Sequence, residues 1–356
     1  MAEKDIILSV KDLEVKFQVR ERVLTAIRNI SFDFERDKVV AIVGESGSGK
    51  SVFTKTFTGM LEVNGTISNG TIMFDGMDLT EKKKDADWLG IRGKRIATVF
   101  QDPMSSLNPI LTIGTQISEV LTKHRGMSAA EAKQEAINLM GKVGIINPEL
   151  RYDDYPFQYS GGMRQRIVIA IALACAPEIL ICDEPTTALD VTIQAQIIRL
   201  IKDLSKEYGF TTIYITHDLG VVANVADVVA VMYAGQIIEY GTVEEIFYDP
   251  KHPYTWGLLS SLPQLGNKGD NLFAIKGTPP SLFEKIKGDA FAMRSDYAMA
   301  IDFEEEPPMF KVTDTHYAKT WLLDPRAPKV DPPELIRDLH NKILATTGEG
   351  GNYSGR

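Results

Sequence analysis

The chain has 356 residues, 44% of them hydrophobic and 24% charged, an ordinary soluble composition that leaves room for one large domain plus an extension, or for two domains. A net charge of −9 at pH 7 argues against a nucleic-acid-binding surface as the main role. The longest apolar run, 167–177, is too short to span a bilayer, residues 1–5 lack the pattern of a signal peptide, and the two cysteines, Cys175 and Cys182, read as small buried residues of a reducing compartment.

Residues 6–19 include an apolar alternation (Leu13, Val15, Phe17, Val19) that predicts a half-buried strand. Phe17 is either a core or edge-strand ring, or an aromatic face on which an adenine could stack. Residues 30–34 and 39–43 add two short strands. The second runs into Gly44, Glu45, Ser46, Gly47, Ser48, Gly49, Lys50 and Ser51, followed by helical character over 51–60. This is G-x-x-x-x-G-K-[ST] between strand and helix, a loop whose glycines let successive N–H groups point inward at a polyanion. Lys50 would sit on the β- and γ-phosphates of a nucleotide, and the Ser51 hydroxyl would be a ligand to Mg²⁺.

Residues 68–75 predict a strand ending in an Asp75-Gly76 turn, and 95–100 a strand that delivers Gln101 at its end. Turn formers fill 102–109. Residues 112–143 change to helix, with a capping box at Ser128/Glu131 and Ala132, Ala136, Leu139, Met140 and Val143 on one face; this reads as a helical subdomain carried by a nucleotide-binding core. Ser160-Gly161-Gly162, ahead of an apolar helix over 167–174, is either a plain loop or a second phosphate cradle.

The run 179–184 predicts a buried strand ending in Asp183 and Glu184. Adjacent carboxylates are costly without a cation nearby, so Asp183 is the natural partner of Mg²⁺ and Glu184 is free to deprotonate a water. A helix over 191–208 follows Asp190, and a strand over 211–216 presents His217, structural or near the γ-phosphate, at the end where open α/β sheets bind ligands. Residues 228–240 predict a hairpin turning at 234–236, and Thr242/Glu245 a further capping box. Beyond Pro250 the chain grows rich in proline and acidic residues and reads as an irregular extension, its last stretch, 346–356, as a disordered tail.

Taken together, the phosphate loop, Gln101, Ser160-Gly161-Gly162, Asp183-Glu184, Ala188-Leu189-Asp190 and His217, in that order, resemble the ATP-binding-cassette ATPases over residues 1–250. Phe100 to Pro109, Tyr159 to Arg166, His252-Pro253-Tyr254-Thr255 and Leu258 to Pro263 bring the resemblance closer, to the ATPase subunits of oligopeptide and dipeptide importers. The resemblance implies an α/β P-loop NTPase (RecA-like) core with an antiparallel β subdomain, a helical subdomain over about 102–165, and an importer-type C-terminal extension over 251–356. It implies that two cassettes, one of them a homologous but non-identical chain, close head to tail over two ATP molecules. Lys50, Ser51, Gln101, Asp183, Glu184 and His217 would face one nucleotide, with Asp190 among the nucleotide-binding residues. Ser160 and Gly162 would reach the γ-phosphate held by the partner, and Phe17 would stack on adenine. Glu184 would be the catalytic base, His217 the γ-phosphate sensor, and Gln101 the link between Mg²⁺ and the helical subdomain.

By the same resemblance, two transmembrane permease subunits dock on that subdomain at the cytoplasmic face of the membrane, and an extracellular or periplasmic peptide-binding protein acts indirectly; nucleic acid is not a partner. A soluble cassette ATPase working on a ribosome or DNA is the alternative, although such proteins usually carry two cassettes in one chain. Two departures stand out. Tyr159 replaces the usual Leu or Phe, and positions where many relatives carry the cysteines of an iron–sulfur cluster read Asp289, Ser295, Asp302 and Thr320, so no such cluster is expected.

Overall fold

Residues 5–187, 189–262 and 274–338 are described in a computed structural model. In chain order the strands are β1 (Ile6–Val19), β2 (Arg22–Glu35), β3 (Val39–Val43), β4 (Gly65–Phe74), β5 (Met77–Asp78), β6 (Ile96–Val99), β7 (Ile179–Asp183), β8 (Thr211–Thr216), β9 (Val228–Tyr233), β10 (Gln236–Thr242), β11 (Phe310–Lys311) and β12 (Tyr317–Ala318). They form two sheets. One is antiparallel, ordered β2-β1-β4-β5. The other is ordered β11-β12-β10-β9-β3-β8-β7-β6, parallel from β9 through β6.

The strand β3 ties the layers together. Parallel strands covered on both faces read as continuous apolar runs, and all five residues of Val39–Val43 are buried. Val40 and Ile42 point into a core shared with the antiparallel sheet, where Phe34, Phe53, Phe57 and Phe74 meet with no exposure. Ala41 and Val43 point the other way, into a core built with Tyr233, Tyr254 and Phe291. Full burial of a side chain of this size stabilises by roughly 1.5–3 kcal/mol, so these rings hold the two sheets in one unit.

The helical insert resolves into helices Ile113–Arg125 and Ala129–Lys142. They separate at Gly126, which takes φ 67° as the left-handed cap of the first. Ser128 and Glu131 form the expected capping box, and Ala132, Ala136, Leu139, Met140 and Val143 are all buried. Helix Gly161–Leu173 packs in the same cluster, which also holds Val99 of β6 and Cys182 of β7, so the insert grows directly out of the sheet.

Several expectations need correction. Strand β2 extends over Arg22–Glu35, well beyond 30–34. Asn29 takes φ 51°, and Ala26 and Ile27 are buried consecutively, which breaks the alternation a period-2 reading needs. The helix after the phosphate loop is the shorter Lys50–Thr56, and the apolar helix begins at Gly161 rather than 167. Cys175 is only half-buried, whereas Cys182 is fully buried. The extension is irregular for most of its length, yet β12 pairs with β10 through Glu239–Ala318 and Tyr240–Tyr317 and so continues the main sheet. The stretch 346–356, read as a tail, lies outside the described residues.

Candidate functional site

Ligand sites in open α/β sheets lie beyond the carboxyl ends of the strands, and neighbouring strands β3, β8, β7 and β6 each deliver polar residues there. Strand β3 leads into the loop 44–49. Gly44 has φ 153°, and a Cβ on it would lie 2.1 Å from the Met232 carbonyl oxygen. Gly49 has φ 102°, and its Cβ would come within 2.9 Å of the Ala26 carbonyl oxygen. Only glycine fits either position, and the loop is folded tightly against β9 and β2 as a result.

Lys50 is 6% exposed. Its ammonium donates to the carbonyls of Gly44 at 2.8 Å and Glu45 at 3.0 Å, which closes the loop on itself. Burial lowers its pKa, while Glu184, Asp183 and Glu45 oppose that shift. One turn on, the Ser51 hydroxyl donates to Asp183 Oδ1 at 3.0 Å. Burial raises the pKa of Asp183, the Ser51 bond lowers it, and Glu184 raises it further. A buried carboxyl beside a second acid and a hydroxyl is a pair of hard oxygen donors short of positive charge, which fits Mg²⁺.

Glu184 departs from ordinary backbone geometry, with φ 47°. Left-handed non-glycine residues are strained, and such strain concentrates at functional sites. Its N–H still donates to the Ile215 carbonyl at 3.0 Å, so pairing with β8 fixes the kink. The carboxylate spreads over three partners. Oε2 accepts from Gln101 Nε2 at 3.3 Å and from the Thr187 hydroxyl at 3.0 Å. Oε1 lies 3.3 Å from His217 Nδ1. Gln101 thus commits its amide nitrogen to Glu184, and its carbonyl oxygen is the atom that a cation would use.

The structure therefore brings together Lys50, Ser51, Gln101, Asp183, Glu184 and His217. Within the loop, Ser46 and Gly47 are exposed and Ser48 is buried with its hydroxyl unpartnered. Ser160, Gly161 and Gly162 stand apart. Ser160 is exposed and caps helix Gly161–Leu173 by accepting from Met163 N at 3.3 Å, and a Cβ on Gly162 would meet Ile193, not the loop. Asp190 caps helix Val191–Tyr208, accepting from Ile193 N at 3.0 Å. Phe17 is 7% exposed, and its ring fills the space that a Cβ on Gly65 would need. Tyr159 is buried, with its hydroxyl donating to the Arg151 carbonyl at 2.8 Å; that bond accounts for a phenol where an apolar residue is usual.

Beside the site, a groove of ≈ 660 Å³ runs between the core and the helical insert, lined by Phe100, Gln101, Val120, His124, Val168 and Asp183. Phe100, Met104 and Ile110 are exposed in the segment that carries Gln101 into the insert.

Sequence reasoning missed Thr187, whose position three residues past Glu184 is its only signal. It also missed Arg294 of the extension, which pairs with Glu45 of the loop and carries no sequence signal at all. Among the described residues no group of three or more His, Cys, Asp or Glu could hold a metal ion. Asp289, Ser295, Asp302 and Thr320 instead accept backbone N–H groups, from Phe291, Tyr297, Met299 and Leu322 respectively.

Comparison with known proteins agrees with this geometry. Residues 27–187 match the family described as ABC transporter, and residues 238–301 match the oligopeptide/dipeptide transporter C-terminal region. The chain is 65% identical to the oligopeptide transport ATP-binding protein AmiE of Streptococcus pneumoniae, covering 97% of this chain and 98% of AmiE. It is 58% identical to the dipeptide transport ATP-binding protein DppD of Lactococcus lactis, covering 94% and 96%. It is 56% identical to the oligopeptide transport ATP-binding protein OppD of Bacillus subtilis, covering 96% and 95%. Among solved structures, the dimeric post-hydrolysis state of the cassette MJ0796 bound to ADP and Pi superposes with a TM-score of 0.59 at 27% identity, covering 66% of this chain and 98% of that one. The cbiO1 cassette of Clostridium perfringens superposes with a TM-score of 0.60 at 30% identity, covering 69% and 92%.

Proposed function

The chain belongs to the ABC transporter ATPases, in the group of oligopeptide and dipeptide transport ATP-binding proteins, and from that premise we propose how its residues bind and spend ATP. It is an ATP-binding and hydrolysing subunit that powers oligopeptide uptake, a peripheral component of a membrane transporter that works with permease subunits and as part of a cassette dimer. A ribosome- or DNA-directed role finds no support among relatives matched along almost the whole chain.

The triphosphate lies over the loop 44–49, with Lys50 exchanging its two carbonyl partners for phosphate oxygens and holding their charge. Mg²⁺, held by Ser51 and Asp183 with Gln101 beside them, would neutralise charge on the phosphates. Glu184 accepts the proton of the water that attacks the γ-phosphorus, and the bond to ADP breaks as the new P–O bond forms. His217 and Gln101, both on the Glu184 carboxylate, hold it at the angle this attack needs. Phe17 offers its ring edge to the adenine, while Glu45, Ser46, Gly47 and Ser48 supply main-chain donors.

Ser160, Gly161 and Gly162, exposed and away from this chain's own loop, complete the site of a second cassette, as Asp190 does nearby. That second cassette is a homologous, non-identical chain. The groove beside Gln101 receives a short helix of a permease at the cytoplasmic face, so that closure over ATP biases the permease between two states. A peptide-binding protein delivers cargo from the other side.

The single observation that carries this reading is the convergence on one sheet edge of Ser51–Asp183 at 3.0 Å with Gln101 and His217 on Glu184. The test is ATP-driven uptake of a labelled oligopeptide into vesicles carrying the whole transporter. Uptake should require Mg–ATP and stop with Lys50→Ala; uptake that persists in that variant would contradict it.

A further inference from the structure

Glu45, the second residue of the phosphate loop, is gripped from outside the loop at both its main chain and its side chain. Its N–H donates to the Tyr254 hydroxyl at 2.8 Å. Its carboxylate accepts both terminal nitrogens of Arg294, at 2.8 and 3.0 Å, the two-pronged geometry in which a planar guanidinium fixes direction as well as charge. Its carbonyl already accepts from Lys50. One peptide unit thus joins the phosphate-binding ammonium to two residues that lie beyond the cassette core in sequence.

Neither gripping residue is free to wander. The Arg294 side chain is 5% exposed. Its Nε donates to the Lys276 carbonyl at 2.8 Å and its Nη1 to the Tyr233 hydroxyl at 3.2 Å, and the guanidinium lies 5.7 and 5.8 Å from the ring centroids of Tyr233 and Phe291. Tyr254 has no exposure and packs 4.6 Å from the Tyr233 ring and 5.4 Å from that of Phe291. It sits in the first turn of helix Pro253–Ser260, whose approach is anchored on a buried carboxylate. Glu239 accepts from Lys251 N at 2.5 Å and His252 N at 3.0 Å, and pairs with buried His316 at 2.8 Å.

We propose that Arg294 and Tyr254 are positioning residues for ATP: the C-terminal extension clamps Glu45 and so preshapes the phosphate loop. This rests on the nucleotide reading above. A loop released from the clamp visits its phosphate-holding shape only part of the time, and apparent affinity falls by that fraction. The extension is then part of the nucleotide site, and any event that pulls on it changes ATP affinity without touching the phosphates.

The experiment uses the full chain and measures ATP affinity by titration beside hydrogen exchange of the nucleotide-free protein. Arg294→Met should weaken ATP binding by about tenfold and Tyr254→Phe by about threefold, the loss expected if the loop is correctly shaped a tenth or a third of the time. Amide exchange should quicken over 44–50 while β8 stays unchanged, which a general loss of stability would not do. If Arg294→Met does not fold, Arg294→Lys, which keeps the charge and loses the fork, carries the same test and should lose about threefold. Wild-type affinity in these variants, or quickened exchange spread equally through β8, would overturn the clamp. A wild-type chain with no affinity for ATP would instead bring down the nucleotide reading beneath it.

Discussion

Replacing Glu184 by Gln separates chemistry from architecture more cleanly than any other change in this molecule. The carboxylate has Gln101 Nε2 and the Thr187 hydroxyl on Oε2 and His217 Nδ1 on Oε1. A glutamine oriented with its oxygen towards Gln101 and Thr187 keeps both of those bonds. Its NH₂ then faces His217 Nδ1, which accepts when the imidazole carries its proton on Nε2. No contact is lost, so ATP affinity should stay within about threefold of wild type, under about 1 kcal/mol. What disappears is the group that takes the water's proton. General-base removal costs about 10²–10⁴ in rate, roughly 3–5 kcal/mol of barrier. The assay is steady-state phosphate release at saturating Mg–ATP with the second cassette present, beside an ATP titration. A kcat within tenfold of wild type would remove Glu184 from its role, and lost ATP binding would refute the geometric argument.

The other predictions follow from single contacts. Lys50→Ala removes two charge-assisted bonds that close the loop, and should weaken ATP by about a hundredfold, near 3 kcal/mol, on titration; unchanged affinity would contradict it. Phe53→Ala should lower stability by about 3–5 kcal/mol in denaturant melts, because the ring is wholly buried between the two sheets, 4.9 Å from the ring of Phe57. Burial pushes the Asp289 carboxyl up to about 6, the neighbouring Asp302 adds to the rise, and the Phe291 N–H opposes it. A raised folded pKa favours the neutral acid, so this contribution is fully present below the ordinary carboxyl range and lost as pH rises through about 6. Asp289→Asn, which keeps an acceptor for Phe291, should match wild type near pH 4 and exceed it at pH 7 by at most about 3 kcal/mol; a gap that does not vary with pH would contradict this. Metal analysis of the purified protein should find no stoichiometric iron, since thiolates are absent from the extension, and a full complement of iron would refute that reading.

The sheet edge was legible because its strands are short, apolar and buried on both faces. Val39–Val43, Ile179–Asp183 and Thr211–Thr216 each announce themselves, and the polar residue following each can only lie at the carboxyl end. The helical insert was legible for a similar reason, since its capping box and apolar face survive into the structure. What stayed hidden depends on long-range geometry. Half of β2 was obscured where Asn29 turns left-handed and shifts the alternation. Strands β11 and β12 are two residues each, too short for any period to register, and exist because β10 offers them an edge. The pairing of Glu45 with Arg294 joins residues 249 apart, and nothing local to either position marks it. Thr187 touches Glu184 only because the chain turns back at the end of β7.

The central claim is that ATP is held on the edge of β3, β8, β7 and β6 and hydrolysed at a site that two cassettes complete. The most direct measurement is phosphate release from Mg–ATP by an equimolar mixture of this chain and the second cassette of its transporter, followed across a hundredfold range of concentration. A site shared between chains should give a specific activity that climbs steeply with concentration and then levels off as the dimer saturates. Activity that is constant per molecule at every dilution, or no phosphate release at all, would contradict the account.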